Sequence, residues 1–345
     1  MSKNKLEKEI NTKLNTVGGQ AVLEGVMMKS KEQYSVAVRK EDGSLAVKSN
    51  TYTSIRKKIK IFNIPVIRGF VNFIEMMILS FKTLMMSAEA MGLEELEESK
   101  FEKWLQKHFG KSIMNFIMVI STVLGLALGM GLFFFLPIFI TKTIDNAAGQ
   151  NLGWFKNLIE GLLKIVIFIG YLWAVSFMKD IRRTFEYHGA EHKSIFCYES
   201  GEELTPENVK KYVRFHPRCG TSFMFVMLFL SIIVFSLPFI TWDNMLLRMV
   251  TKIALMPVVV GIGYEFIMYA GKHSNNFFIR MLSAPGLWIQ RITTREPDLE
   301  QIEVAITALK SSMPSEFPDF KVPGSELVEQ DGENIEKLEP DQGTF

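Results

Sequence analysis

The chain has 345 residues, 48% of them hydrophobic, including 28 Phe and 20 Met, and its formal net charge is +2. This apolar content is higher than a soluble domain of ordinary composition carries. The small net charge by itself argues neither for nor against a nucleic-acid partner, and none is expected. Because the apolar residues are concentrated in long central runs, the sequence predicts a mainly α-helical polytopic membrane protein with the lipid bilayer as its main partner.

Residues 1–60 are predicted to form a small cytoplasmic β-hairpin unit. The N-terminal residues MSKNKLEKEINTKLN contain no apolar stretch of the kind that marks a signal peptide. Tyr34 to Arg39 and Leu45 to Tyr52 alternate apolar and polar residues on either side of Asp42-Gly43, a pair that favours hairpin turns. Gly18 to Lys29 is expected to add a third strand.

The segment 64–92 is predicted to be an amphipathic helix at the membrane interface. Its charged residues recur every seven positions and therefore form one narrow stripe along a helix: Arg68, Glu75, Lys82 and Glu89. Such a stripe suits a helix lying at the cytoplasmic interface, or packed against the bundle with its charged edge toward protein. The alternative, a true span, would place the Lys-rich N-terminus outside.

Four later segments are long and apolar enough to cross a bilayer, which requires roughly 20 residues. They are Ile113 to Ile140, Leu158 to Met178, Ser222 to Thr241 and Leu246 to Ala270. The loop 179–221 between the second and third carries eight Lys and Arg, whereas the two short connections on the other side carry only Lys142 and Lys156. By the positive-inside rule, this loop and both termini are expected to be cytoplasmic, in a multi-pass protein of the cell membrane.

The cytoplasmic loop contains two histidine-bearing motifs that are expected to meet at one membrane level. A helix continuing from the second span should end at Gly201, and Thr205-Pro206 should begin another, which Pro217 should end. His188 and His192 stand four residues apart, so on a helix they share one face and can hold one ion.

His188 to His192 reads H-x-x-E-H, the inverted zincin pattern, in which two histidines bind zinc and the glutamate acts on a water activated by the ion. A divalent metal, most naturally zinc, is therefore the expected cofactor, and Glu191 the expected catalytic base. His216 and Cys219 are candidates for completing the shell. If both bind, the site is closed and structural; if one binds, a position stays open for chemistry. The plain alternative is a pair of interfacial histidines without an ion.

Several other polar residues are weaker site candidates. Gln20 and Glu24 are either ordinary surface residues or groups directed at a site, and His273, just beyond the last span, lies on the same side of the membrane. Arg218 belongs to a basic cluster that attracts anionic lipid headgroups or a phosphorylated substrate, or that is only the topology signal already used. The members of this cluster are Arg182, Arg183, Lys193, Lys210, Lys211, Arg214 and Arg218.

The C-terminal part is predicted to be cytoplasmic, with an interfacial and helical segment over 271–312. Thr294 to Lys310 places Pro297 in the first turn of a short helix with one apolar face. After Met313 the chain carries nine acidic and two basic residues and no run able to bury a face. Residues 313–345 are therefore expected to be a disordered acidic tail.

Several stretches resemble the domain of unknown function 1385 (DUF1385) family of bacterial membrane proteins. They are GGQAVLEGVMM from Gly18, YHGAEHK from Tyr187, EELTPENV from Glu202, HPRCGTS from His216 and TTREPDLEQIEVA from Thr293. The resemblance implies a multi-span protein of a family described as predicted metal-dependent enzymes, and it supports the candidates His188, Glu191, His192, His216 and Cys219. It names no reaction.

The leading hypothesis is a membrane-embedded, metal-dependent hydrolase that acts at the cytoplasmic face on a membrane-protein or lipid substrate. Here His188 and His192 are ligands and Glu191 is the base. The alternative is a non-enzymatic membrane scaffold or interaction protein whose His/Cys cluster is structural. Transport is disfavoured because only four or five spans are visible, without the paired broken helices that mark transporter sites.

Overall fold

The computed structural model describes residues 13, 16–31, 33–92, 112–149, 152–153, 155–235, 237, 245–272 and 276–323. Within this part of the chain, the architecture is a small N-terminal β-sheet followed by helices, most of them apolar. The predicted fold class, a mainly helical polytopic protein with an N-terminal β-unit, is confirmed.

The N-terminal sheet has four antiparallel strands in sequential order: β1 Gly18–Val22, β2 Gly25–Lys29, β3 Gln33–Arg39 and β4 Leu45–Thr51. The segment expected to supply one extra strand therefore supplies two. It folds back on itself because Glu24 adopts a left-handed conformation with φ of 47° and so closes a tight turn between β1 and β2.

Ten α-helices follow the sheet within the described residues. They are α1 Ile67–Ala90, α2 Ser112–Met130, α3 Leu136–Ala147, α4 Phe155–Val175, α5 Lys179–Glu199, α6 Pro206–Lys210, α7 Gly220–Phe235, α8 Met245–Lys272, α9 Phe277–Thr293 and α10 Leu299–Ser311. One turn of π-helix, Gly131–Phe135, joins α2 to α3, so the two helices form one continuous apolar helical segment.

Four of the described helical stretches are long and apolar enough to cross a membrane: Ile67–Ala90, Val123–Ala147, Phe155–Val175 and Met249–Ala270. The chain is thus a multi-pass membrane protein. Three of these stretches correspond to predicted spans, and the first is the segment predicted to lie at the interface. The remaining predicted span, Ser222 to Thr241, corresponds to the shorter helix α7.

The first half of the charged stripe of α1 faces protein, whereas Lys82 and Glu89 are exposed. Arg68 pairs with Glu265 of α8, and Glu75 accepts hydrogen bonds from Tyr52 and Ser54 in the segment that follows the sheet. The opposite face of α1 leaves large apolar side chains exposed: Ile74, Met77, Ile78, Phe81, Leu84 and Met85. An exposed apolar face of this size is suited to contact lipid, and Arg68 and Glu75 on the charged edge are paired within the protein.

The sheet is the middle layer between α1 and two helices of the C-terminal half. Val22, Val36 and Val38 pack with residues of α1, whereas Val26 and Met28 pack into a core formed with α5 and α10. Alternate side chains of each strand point to opposite faces. Both faces of this sheet are therefore covered, and α5 is fixed against the N-terminal unit.

Two sequence-based helix boundaries were wrong. Helix α10 begins at Leu299, after a capping box between Asp298 and Gln301, so Pro297 precedes the helix instead of lying in its first turn. Helix α6 ends at Lys210, well before Pro217, because the following residues turn back toward α5. The described chain continues beyond Met313 to residue 323, and in this stretch Phe317 packs on the core. The rest of the segment predicted to be a disordered tail lies outside the described residues.

Candidate metal centre

Helix α5 carries the H-x-x-E-H motif into the protein interior. It begins directly after α4, and it ends where predicted, with Gly201 in a left-handed conformation just beyond it. Its C-terminal half is buried against the sheet, α6 and α10, so Glu191 and His192 are only 5% and 1% exposed. Polar groups buried this deeply normally have hydrogen-bond partners, so the atoms around Glu191 and His192 indicate what these side chains bind.

Two histidines of α5 converge with the cysteine that precedes α7. One ligand atom each from His188, His192 and Cys219 lie within 4.8 Å of one another, and His188 Nε2 is 3.1 Å from Cys219 Sγ. The helical spacing of four residues puts both imidazoles on one face, and the turn at Pro217 brings the thiol to them. The structure thus assembles three of the four predicted ligands.

Backbone carbonyls orient both imidazole rings. His188 Nδ1 lies 2.8 Å from the Thr293 carbonyl oxygen, and His192 Nδ1 lies 2.5 Å from that of Arg214. A carbonyl can only accept, so each Nδ1 is the donor and each Nε2 carries the free lone pair in the neutral ring. His192 Nε2 is buried without a hydrogen-bond partner in the described chain. This is the arrangement by which second-shell carbonyls orient histidine ligands of metals.

The electrostatics of the cluster favour a thiolate. Burial by itself would raise the pKa of Cys219, but the charges of His188 and His192 hold it well below its usual value. Burial by itself would lower the pKa of His188, but the adjacent Cys219 sulfur raises it to about 9. The thiolate is the form of cysteine that binds metal ions, so the electrostatics hold Cys219 in the form that a metal ligand requires.

Glu191 lies beside this cluster in a tightly enclosed position. Burial raises its pKa, although the nearby charges of His188 and His192 oppose this effect. Its Oε2 atom has no hydrogen-bond partner in the described chain. Gly19 of β1 packs against the side chain, since a β-carbon at position 19 would lie 2.9 Å from Glu191 Cγ. The carboxyl group is therefore shielded from solvent and held in place by packing, and its Oε2 atom can still accept a hydrogen bond.

His216 lies next to the cluster but is not one of its three converging donors. Its ring centroid is 5.4 Å from that of His192, and its Nδ1 accepts a hydrogen bond of 3.3 Å from the backbone N–H of Arg218. Burial lowers the pKa of His216 well below its usual value, so the ring is neutral with its proton on Nε2. In this state Nε2 is a buried donor without a partner in the described chain.

The weaker candidates lie away from the cluster or at its edge. Gln20 donates to Thr83 of α1, and Glu24 accepts from Arg183 and from the Tyr187 hydroxyl, so both residues connect elements of the fold. Arg218 pairs with Glu199 at the edge of the centre. His273 lies outside the described residues.

Sequence reasoning missed three residues that shape the centre. Gly19 gives Glu191 its space, Thr293 orients His188, and Gln290 binds both the backbone N–H and the carbonyl of His216 at 2.7 and 2.8 Å. The first two fall inside the stretches GGQAVLEGVMM and TTREPDLEQIEVA, which were noted for their resemblance. Gln290 precedes the second of these and carried no signal of its own.

Four of the stretches that carry the family resemblance therefore meet around one buried cluster. A family model described as a protein of unknown function (DUF1385) matches residues 64–315. The chain belongs to the DUF1385 family. It is also 37% identical over 294 residues to the uncharacterized protein YqhQ of Bacillus subtilis strain 168, covering 84% of this chain and 89% of that protein. No solved structure matches the chain.

Proposed function

We propose that this protein is a metal-dependent hydrolase whose centre lies at the cytoplasmic face of the cell membrane, with His188, His192 and Cys219 as ligands and Glu191 as the base. The observation that carries the proposal is the convergence of three donor atoms within 4.8 Å, with both histidine Nδ1 atoms bound to backbone carbonyls. Of these donors, His192 Nε2 is buried without a hydrogen-bond partner in the described chain, and a bound cation would satisfy its lone pair.

The donor set favours zinc. Two imidazole nitrogens and one thiolate are ligands that zinc accepts in catalytic sites, where a fourth position stays open. When bound, such an ion acts as a Lewis acid and lowers the pKa of a coordinated water toward neutrality.

The base is assigned to Glu191 by its position and its chemistry. Its carboxyl group is buried beside the three donors but is not one of them. Its Oε2 has no partner in the described chain, so it can accept the proton of the attacking water and return it to the leaving group.

The cytoplasmic location rests on charge asymmetry. The loop that holds the centre carries eight Lys and Arg between Lys179 and Thr221, and the connections on the opposite side carry two. Positive charge near the ends of spans marks the cytoplasmic side.

A structural role for the cluster is the second candidate, and the neighbouring His216 favours it. If the His216 ring gave up its Nε2 proton and moved toward the ion, four protein ligands would close the site, and a closed site would fasten the loop without catalysis. The protein would then be a membrane scaffold.

Metal content per chain tests the proposal. Elemental analysis of the detergent-purified chain should find about one zinc-like ion, lost in His188→Ala and Cys219→Ala but retained in Glu191→Gln. Cys197→Ala is the matched control, because Cys197 is the other buried free cysteine and lies outside the cluster. A wild-type chain without metal would remove the main support for a metalloenzyme.

A genetic test separates catalysis from structure. In a strain lacking the protein, Glu191→Gln should fail to complement while keeping its metal and its thermal stability. His216→Ala should keep the metal if the site has three protein ligands. Full complementation by Glu191→Gln together with metal loss in His216→Ala would support the scaffold instead.

A further inference from the structure

A cavity lies beside the candidate metal centre, between the cytoplasmic ends of three helices. It has a volume of about 620 Å³ and is lined by residues of α7, α8 and α9 and by the turn before α7. This size is within the range of small-molecule sites in proteins. The cavity is separate from the cluster but shares a wall with it, because Arg218 lines the cavity and Cys219 is the next residue.

The lining combines apolar walls with two cations. Val226, Phe266 and Leu287 are among its apolar residues, while Arg218 and Arg280 are the charged residues among the described part of the lining. Arg218 is already paired with Glu199, but no carboxylate in the described chain pairs with Arg280. A cavity whose described lining combines positive charge and apolar walls without an acidic residue is complementary to an anionic amphiphile.

The surroundings indicate that this amphiphile comes from the membrane. On α9, Phe277, Met281 and Trp288 are 73%, 54% and 53% exposed, and they form an apolar surface next to the cavity. Apolar residues and Trp on a helix that also carries arginines are typical of a helix lying in the membrane interface. Acyl chains can thus continue from the cavity along a lipid-facing surface, with the headgroup at the level of the arginines.

We propose that this cavity binds a membrane lipid with an anionic phosphate headgroup, and that Arg280 and Arg218 hold the phosphate. Guanidinium groups bind phosphate through charge-assisted, often bidentate hydrogen bonds. That this lipid is also the substrate class of the adjacent centre rests on the proposed function; its binding does not.

Helix α9 connects the cavity to the centre. Ser222 lines the cavity and accepts a hydrogen bond from Gln290, which also binds the backbone of His216. Gly286 of α9 packs against Ser222, where a β-carbon would lie 2.9 Å from Ser222 Cβ. A lipid seated between α7 and α9 would therefore touch the same elements that position the ligands.

Native mass spectrometry of the full chain tests the lipid site. Purified protein would be titrated with phosphatidylglycerol and with phosphatidylcholine of the same acyl chains. We expect preferential binding of phosphatidylglycerol, weakened about tenfold in Arg280→Gln, as expected for one lost charge-assisted hydrogen bond. Arg291→Gln is the matched control, because Arg291 is an exposed arginine of the same helix outside the cavity. Equal weakening in both variants would overturn the proposal.

Two further arms identify the source of the bound group and the role of the cavity. Ala284→Trp, which fills the cavity, should reduce phosphatidylglycerol binding; unchanged binding would place the lipid elsewhere. Inorganic phosphate should compete poorly, because it lacks chains for the apolar walls, and equal competition would refute a lipid site. Metal content measured on the same samples keeps the two proposals distinguishable: selective lipid binding without metal would retain this site and refute the metalloenzyme.

Discussion

Gly19 of the N-terminal sheet packs directly against Glu191 of the H-x-x-E-H helix, although 172 positions separate them in the chain. A β-carbon at position 19 would lie 2.9 Å from Glu191 Cγ and 2.7 Å from the Met27 carbonyl oxygen. The β-unit therefore does more than cover α5, because it sets the space in which the glutamate can move.

Gly19→Ala should reduce activity while leaving the metal in place. The added methyl group must displace either the β2 backbone or the Glu191 side chain, at a stability cost of about 1–3 kcal/mol. Gly18→Ala is the control, because a β-carbon at Gly18 meets nothing within 4 Å. Complementation, metal content and thermal unfolding should be measured for both variants. Identical behaviour of the two would show that the contact with Glu191 is unimportant.

Gly189→Ala should weaken the packing of the segment after α9 on α5. A β-carbon at Gly189 would lie 2.0 Å from the Arg295 carbonyl oxygen, so the backbone must separate. We expect a loss of about 1–3 kcal/mol in the free energy of unfolding, together with weaker metal binding, because the nearby Thr293 carbonyl orients His188. Gly170→Ala in α4, where the new methyl group meets nothing within 4 Å, should leave both unchanged.

Gln290→Leu should lower both stability and metal affinity. The leucine leaves the buried N–H and carbonyl of His216 without their partner, and each unsatisfied buried group costs about 1–3 kcal/mol. Gln33→Leu is a suitable comparison, because it also removes a side-chain bond to a backbone carbonyl, that of Ser311, but far from the centre. If the two variants lose stability equally and both keep full metal affinity, Gln290 does not position the site.

Removal of the metal should lower the unfolding temperature of the wild type. An ion that binds only the folded chain at a hundred times its dissociation constant contributes about 2.7 kcal/mol. Chelation followed by thermal unfolding in detergent should show the decrease, and added zinc should reverse it. The unfolding temperature of His188→Ala should not respond to chelator, and a response equal to that of wild type would mean that the stabilising ion binds elsewhere.

Helix α1 should lie along the membrane surface. Spin labels at Ile74→Cys and Met85→Cys, both exposed positions, are expected at similar depth in a bilayer. The control pair, Leu162→Cys and Trp173→Cys, lies on α4 with the same spacing, which corresponds to about 16 Å along a helix axis. Those labels should differ in depth by most of that length. An equally large difference for the α1 pair would make α1 a span.

Local patterns were sufficient for much of the fold. Hydrophobic length predicted the apolar helices, because a segment that crosses lipid must satisfy its backbone internally and exclude charge along about 20 residues. Alternation around Asp42-Gly43 predicted the hairpin, and Gly201 and Thr205-Pro206 predicted the helix boundaries next to the site. The charges of α1, spaced by seven, predicted one stripe. Each of these properties depends on neighbours in the sequence.

Within the centre, the sequence by itself determined only that His188, Glu191 and His192 share a helix, because four residues make about one turn. The tertiary structure decided which distant groups join them: Cys219 as the third donor, the carbonyls of Thr293 and Arg214 as the second shell, and Gly19 beside the base. Every residue has a carbonyl group, and glycine has no side chain, so neither feature leaves a recognisable pattern in the sequence. Only the packing of the sheet, α7 and α9 around α5 could show which carbonyl and which glycine shape the site.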